Sequence, residues 1–164
     1  MFDPVRICQV LDEEGVEFVV VGGFAAVIHG SSLPTRDIDL VPSRSRENLE
    51  RLARALERLG AMLRTDAEPV ATRLDAAFLA EMPSMLNLIT DHGEVDLTFV
   101  PAGRAGGFEG WRTGATTEQI GADLSVLVGS LDDIIDSKRA AGRPKDRSAL
   151  PYLESLRDEI ARER

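Results

Sequence analysis

Short apolar or alternating segments are interleaved with longer segments of helical periodicity along this chain. Val16–Val21 is short and rich in β-branched residues, which is typical of a buried strand. Asp37–Val41 alternates charged and apolar residues, as a strand with one polar face does. Met85–Thr90 and Glu94–Val100 are separated by Asp-His-Gly, and this pattern predicts a β-hairpin.

Leucines at helical spacing make residues 46–59 the clearest helix, with Ser45 as its N-cap. A second helix is predicted over 131–141 and a last one near the C-terminus, where Pro151 fits only in the first turn. Residues 71–80 are assigned a short helix. The glycine-rich stretch 101–114 is interpreted as a mobile loop.

The order of these segments predicts an α/β (α+β) fold in which helices flank a mixed β-sheet. We expect one domain spanning residues 1–164. Its sheet core would lie in about 16–128, and a C-terminal helical part would occupy about 130–164.

Composition and charge narrow the class of protein. The 164 residues are 43% hydrophobic and 29% charged, which is the balance of a globular protein rather than a disordered one. A formal net charge of -9 argues against a generally basic nucleic-acid coat and against charge-driven membrane binding. The single cysteine, Cys8, indicates no disulfide framework. With no apolar run of membrane-spanning length and no signal-peptide pattern at the start, we expect a cytoplasmic protein.

The strongest chemical signal is the pair Asp37 and Asp39. Residues two apart on a strand point the same way, so both carboxylates share one face. Like charges this close repel each other unless a cation lies between them, and Mg²⁺ prefers oxygen ligands. Taken alone, such a pair is more commonly a solvated strand face than a metal site.

The residues upstream of this pair favour the functional interpretation. Gly22 and Gly23 follow a buried strand and open a short helix. Glycines there let the backbone approach a phosphate, and a helix N-terminus offers free N–H groups. A phosphate cradle followed by a carboxylate pair indicates a site for a nucleotide and a metal.

Asp96 is the third candidate carboxylate. On the predicted strand, Glu94, Asp96 and Thr98 share one face, opposite apolar neighbours. If this strand lies beside the strand of Asp37 and Asp39, then Asp96 completes a trio. It could accept a proton from an attacking hydroxyl or ligate a second metal.

Together, Val21-Gly22-Gly23, Asp37-Ile38-Asp39 and Asp96 resemble the motif of the DNA polymerase β-like nucleotidyltransferase superfamily. The strings Gly22–Gly30, Pro34–Leu40 and Ser137–Asp146 further resemble the abortive-infection (AbiEii-like) branch of toxin–antitoxin systems. Two departures stand out: Gly23 replaces the serine that many members carry, and Arg147-Ser148-Ala149 lack an acidic residue found in many relatives.

This resemblance implies a nucleotidyltransferase-type mixed sheet and a two-metal Mg²⁺ site formed by Asp37, Asp39 and Asp96. It implies that a nucleoside triphosphate is the substrate, that tRNA or another RNA is the acceptor, and that a cognate antitoxin is the partner.

A basic segment near the C-terminus adds candidate phosphate ligands. Five positive charges fall within Lys138–Arg147 of an otherwise acidic chain. The segment could hold the triphosphate or an anionic acceptor, and we assign nucleotide binding to Lys138 and Lys145. Arg139 and Arg147 instead fit the favourable placement of basic residues near helix ends. Ser31 and Arg36 lie in the loop before the carboxylate pair and are further candidates for nucleotide binding.

Three hypotheses follow for function. The first is Mg²⁺-dependent transfer of a nucleoside monophosphate to RNA, with release of pyrophosphate. The second keeps this chemistry and takes an aminoglycoside or another small molecule as acceptor, which the overall acidity favours for a cationic drug. The third is a non-catalytic nucleotide-binding module, against which the presence of all three carboxylates argues.

Overall fold

A single seven-stranded mixed sheet organises the computed structural model, which describes residues 1–164. The strands are β1 Phe18–Val21, β2 Asp37–Pro42, β3 Met62–Leu63, β4 Met85–Thr90, β5 Gly93–Thr98, β6 Thr116–Gly121 and β7 Leu124–Val128. The helices are α1 Pro4–Glu13, α2 Gly22–Ile28, α3 Arg46–Arg58, α4 Ala76–Ala80, α5 Gly107–Gly114, α6 Leu131–Ala141 and α7 Pro144–Arg162. The strand order is β3-β4-β5-β2-β1-β7-β6.

Three strands at the centre of the sheet determine where the site forms. All four residues of β1 are buried, as their apolar composition predicts. β1 pairs antiparallel with β2, and β2 pairs parallel with β5. In the second pairing Asp39 is the register partner of Asp96, so the strand order brings together residues that lie far apart in the sequence.

Two apolar clusters hold the molecule together. The larger contains 31 buried residues from the sheet and its covering helices. The smaller consists of Ala26, Leu131, Ile135 and Leu153, and it joins α2 to α6 and α7. The C-terminal helices are therefore packed beside the helix that follows β1.

The mixed α/β sheet and most of the predicted elements are confirmed. The hairpin is β4 and β5, with Thr90 opposite Gly93. α3 begins after Ser45, whose side chain accepts a hydrogen bond from the Asn48 N–H as an N-cap does. α6 has the predicted bounds.

The prediction of a mobile loop over 101–114 is wrong, because its second half forms α5. Gly106 caps this helix with φ of +93°, a conformation that favours glycine. Trp111 on α5 is fully buried in the larger cluster. Burial of this large side chain stabilises a helix that the glycine content disfavours.

The predicted position of Pro151 is also wrong. α7 begins at Pro144 and continues through Pro151, which lies in its interior. Packing of Leu153 in the smaller cluster outweighs the local cost of the proline. The short helix predicted over 71–80 is limited to α4, and β3 and β6 were not predicted.

No helix combines the length and the apolar character that crossing a bilayer requires.

Candidate active site

A cleft of about 960 Å³ opens over the central strands and is closed on one side by α6 and α7. Every residue assigned to the site from sequence lines it: Gly22, Gly23, Ser31, Arg36, Asp37, Asp39, Asp96, Lys138 and Lys145. The tertiary structure thus brings together four segments of the chain.

Asp37, Asp39 and Asp96 form the acidic wall of this cleft. Asp37 and Asp39 alternate with buried Ile38 and Leu40 on β2, so the apolar pair anchors the strand while the carboxylates face the cleft. Asp96 lies beside Asp39 on β5 and is 8% exposed. The predicted adjacency of the two strands is confirmed.

Burial and mutual repulsion make these carboxylates harder to ionise. Burial raises the pKa of Asp39 to about 7, and the charges of Asp37 and Asp96 contribute to the increase. Burial likewise raises the pKa of Asp96 to about 6, against the opposing effect of the Arg64 guanidinium. A cation bound here would relieve this repulsion.

Arg64, which the sequence analysis did not identify, forms hydrogen bonds with two acidic residues of β5. Its Nη2 donates to Oδ1 of Asp96 at 2.9 Å, and its Nη1 donates to Oε2 of Glu94 at 2.6 Å. Arg64 follows the two-residue strand β3, in a region with no clear periodicity. No local signal in the sequence could have identified it.

Gly22 is required by the geometry of the acidic wall. Its φ is +68°, and a Cβ at this position would overlap the carboxylate of Asp39. A Cβ on Gly23 would lie 3.1 Å from the hydroxyl of Thr35. Gly22 therefore leaves its backbone close to the carboxylate of Asp39, and Gly23 leaves its backbone close to Thr35.

Lys138, Arg143 and Lys145 form the basic wall, opposite the carboxylates. Lys138 lies in the last turn of α6, whereas Arg143 and Lys145 lie at the start of α7. Lys138 and Lys145 line the same cleft as Asp39, and their charges oppose the rise in its pKa. Arg143 is a member of the basic segment that had not been singled out.

Asp146 is a buried carboxylate that pairs with two cations of the basic wall. It is fully buried, and its carboxylate lies 2.7 Å from Nε of Arg143 and 3.6 Å from Nζ of Lys138. Burial would raise the pKa of Asp146, but the Arg143 hydrogen bond and the charges of Arg143 and Lys138 lower it overall. A single carboxylate thus holds two of the three cations.

The remaining predicted residues lie at the rim of the cleft. Ser31 is buried, and its Oγ accepts a hydrogen bond from the Leu33 N–H, so it shapes the loop. Arg36 is exposed beside Asp37. Arg139 instead pairs with Asp136 and Glu154 on the surface, as its assignment outside the site requires.

The oxygen donors of the acidic wall fit a Mg²⁺ ion. The structure contains no group of three or more His, Cys, Asp or Glu side chains already close enough to hold a metal ion. Asp37 and Asp39 nevertheless share a strand face, so their carboxylates offer oxygen donors on the same side of the strand. Metal ligation by Asp96 stays a prediction, since Arg64 engages its Oδ1.

The mixed sheet and the charged residues that line its cleft fit the nucleotidyltransferase class that the sequence motif predicted. Within that class, residues 5–101 match the family model of aminoglycoside-2''-adenylyltransferase. Because the match covers more than half of the chain, this protein belongs to that family.

Solved structures show the same fold. A crystal structure of the lincosamide antibiotic adenylyltransferase LnuA with lincomycin bound has a TM-score of 0.60 and 15% identity, covering 93% of this chain and 95% of that chain. A crystal structure of ANT(2'')-Ia in complex with adenylyl-2''-tobramycin has a TM-score of 0.58 and 18% identity, covering 98% and 95%. A comparison with curated protein sequences gave no match.

These findings support the nucleotidyltransferase superfamily and do not support the abortive-infection branch. The shared Gly-Gly and Asp-x-Asp core belongs to the whole superfamily, so it does not identify a branch. The family is named for adenylyl transfer to an aminoglycoside.

Proposed function

We propose that this protein transfers a nucleoside monophosphate from a nucleoside triphosphate to a hydroxyl group of a small molecule. This proposal rests on one observation, which is that the acidic wall and the basic wall line the same cleft. Three carboxylates on paired strands face Lys138 and Lys145 across one cleft. One wall suits a metal and a proton acceptor, and the other suits a polyphosphate.

The triphosphate would lie between Gly22 and the basic wall. The glycines leave room for phosphate oxygens close to the backbone, and Lys138 and Lys145 supply positive charge. Asp37 and Asp39 would hold Mg²⁺, which neutralises triphosphate charge and polarises the phosphoryl group when bound.

Asp96 is proposed as the general base. An acceptor hydroxyl oxygen forms a bond to the α-phosphorus while the bond to pyrophosphate breaks, and the hydroxyl proton passes to Asp96. A pKa of about 6 suits proton acceptance near neutral pH. Arg64 would fix the orientation of this carboxylate through Oδ1, and the lysines would stabilise charge on the departing pyrophosphate.

The distribution of charge favours a small acceptor over tRNA. An RNA duplex is bound by basic side chains spread over an extended surface. Here the basic wall lines a cleft, within a chain of net charge -9. We also propose that residues 1–164 form one catalytic domain, because α6 and α7 pack against α2 beside the single sheet and line the same cleft.

A labelled-nucleotide transfer assay tests the proposal. The protein would be incubated with each α-³²P-labelled nucleoside triphosphate, Mg²⁺ and either a panel of hydroxyl-bearing antibiotics or total tRNA. We expect label on a small molecule, with pyrophosphate released in equal amount, and loss of both in Asp39→Asn.

The Arg139→Ala variant is the matched control, because Arg139 lies on α6 beside Lys138 but pairs outside the cleft. It should retain full transfer. Label on tRNA alone would reject the small-molecule acceptor and restore the RNA hypothesis. Nucleotide binding without transfer to any acceptor would support a non-catalytic module.

A further inference from the structure

The loop between α2 and β2, residues 29–36, forms part of the cleft and is called the cleft loop. Five of its residues line the cleft: Ser31, Leu33, Pro34, Thr35 and Arg36. Resting on the proposed function, we infer that Tyr152 on α7 is a positioning residue, which holds this loop in the arrangement that binds the nucleoside triphosphate. Neither Tyr152 nor its partner Ser32 lines the cleft, so the effect of Tyr152 passes through the loop.

The second half of the cleft loop lies next to the glycines that are proposed to receive phosphate. The Thr35 hydroxyl is so close to Gly23 that a Cβ on this glycine would lie 3.1 Å from it. The same hydroxyl donates a hydrogen bond to the carbonyl oxygen of Asp37 at 3.0 Å. Arg36 is exposed and lines the cleft. The position of this loop therefore decides how close a guanidinium comes to a bound triphosphate.

Tyr152 connects the middle of the cleft loop to α7. The Ser32 N–H donates a hydrogen bond to Oη of Tyr152 at 2.9 Å, and Oγ of Ser32 lies 3.0 Å from the same oxygen. These are the only hydrogen bonds between the loop and the C-terminal helices. The ring of Tyr152 packs against the smaller apolar cluster, which fixes its hydroxyl. Because α7 begins with Lys145 and its neighbours of the basic wall, this contact joins the loop to that wall.

Both ends of the cleft loop are held by other contacts. At its start, Nε2 of His29 lies 2.8 Å from a backbone carbonyl oxygen between β7 and α6. At its end, Asp37 is fixed in the sheet by its pairing with Glu94. Loss of the Tyr152 hydroxyl should therefore loosen the loop around Ser32 without moving the carboxylates. We expect it to weaken nucleotide binding and to leave the rate of transfer from bound nucleotide unchanged.

Tyr152→Phe tests this inference, because it removes one oxygen and keeps the ring in the smaller cluster. The intact protein with Mg²⁺ would be titrated calorimetrically with α,β-methylene-ATP, since the matching family is named for adenylyl transfer. The Kd should rise about fivefold, which is the effect of losing an exposed hydrogen bond. In steady-state transfer, KM for the nucleotide should rise by a similar factor while kcat is unchanged, because binding is lost equally from the ground and transition states.

Ser32→Ala removes the other side chain of the same contact. It leaves the N–H hydrogen bond in place, so the Kd should rise only about twofold. Added to Tyr152→Phe, it should cause no further loss, because both substitutions act through one contact. Ser125→Ala is the matched control, since it removes an exposed serine hydroxyl of β7 outside the cleft. This control should bind the analogue as the wild type does.

Unchanged affinity in Tyr152→Phe overturns the inference, as do additive losses in the double variant or a fall in kcat without a change in KM. Absence of binding by the wild type overturns it as well. The same data separate the two proposals. Weakened binding in Tyr152→Phe, in a protein that transfers to no acceptor, upholds this inference and rejects the proposed function alone. Transfer by the wild type, with equal affinities in the two proteins, upholds the function and rejects this inference.

Discussion

The two walls of the cleft differ in how the fold supports them. The acidic wall stands on β2 and β5, whose pairing and apolar residues belong to the 31-residue cluster. The basic wall stands on α6 and α7, which the four-residue cluster and buried Asp146 hold in place. The positions of the carboxylates are therefore set by the sheet, whereas those of the cations depend on one small contact region.

This difference implies separate sensitivities. A change in the acidic wall should remove chemistry without affecting folding, because like charges there oppose one another. A substitution in the basic wall should weaken nucleotide binding. A substitution of Asp146, which is buried behind that wall, should also affect the packing of the C-terminal helices.

The largest effect is expected for Asp39→Asn in the acidic wall. Loss of a proposed metal ligand should lower kcat for nucleotide transfer by about a thousandfold or more. The melting temperature should not fall, because the substitution removes a charge that its neighbours disfavour. Calorimetry and the transfer assay together check this expectation, and retained activity would reject the assignment of Asp39.

The next largest effect is expected for Lys145→Ala in the basic wall. Without this charge, kcat/KM for the nucleoside triphosphate should fall about a hundredfold. Arg139→Ala is the comparison variant, since it removes a charge from α6 outside the cleft. Steady-state kinetics with varied nucleotide would detect the difference, and equal kinetics in the two variants would remove Lys145 from the site.

Asp146→Asn should have a smaller effect on chemistry and a measurable one on stability. Leaving Arg143 and Lys138 without their buried partner should lower the free energy of unfolding by about 2 kcal/mol. Nucleotide affinity should also fall, because the two cations lose their shared anchor. Urea denaturation and nucleotide titration measure these changes, and unchanged stability would show that Asp146 does not support the basic wall.

The smallest effect is a pH dependence that arises from the same residue. Because the pKa of Asp146 is lowered in the folded protein from its ordinary 3.8, its contribution to stability is present above that value. It is lost as the pH falls through the lower folded pKa. Thermal unfolding of the wild type should therefore lose stability below about pH 4 more steeply than that of Asp146→Asn. Parallel curves for the two proteins would contradict this assignment.

The acidic wall could be predicted almost completely from sequence, because its signals are local. Alternation on a strand placed Asp37 and Asp39 on one face, and the same pattern placed Asp96 on a polar strand face. Gly22 was recognised next to a strand end, although its clash with Asp39 could be seen only in three dimensions. The basic segment was also found, without the buried carboxylate that organises it.

Local patterns failed where distant contacts decide the structure. Glycine content predicted a loop over residues 101–114, but residues 107–114 form a helix that buries Trp111. Arg64 lies in a stretch without periodicity, and only the sheet order brings it to Asp96. The wider strings, above all Ser137–Asp146, likewise suggested the abortive-infection branch, which the family match does not support.

The sequence by itself thus determined the mixed α/β fold, the carboxylate pair and the polar strand face that carries Asp96, and its motif resemblance indicated the class of reaction. Hydrophobic periodicity and motif chemistry are properties of residues a few positions apart, and these features depend on such local patterns. Only the tertiary structure decided which cations line the cleft with the carboxylates, that Arg64 pairs with Asp96, and that a chain of net charge -9 encloses a cleft with more basic than acidic side chains. The physical reason is that charge complementarity depends on distances across the fold, which a net charge does not contain.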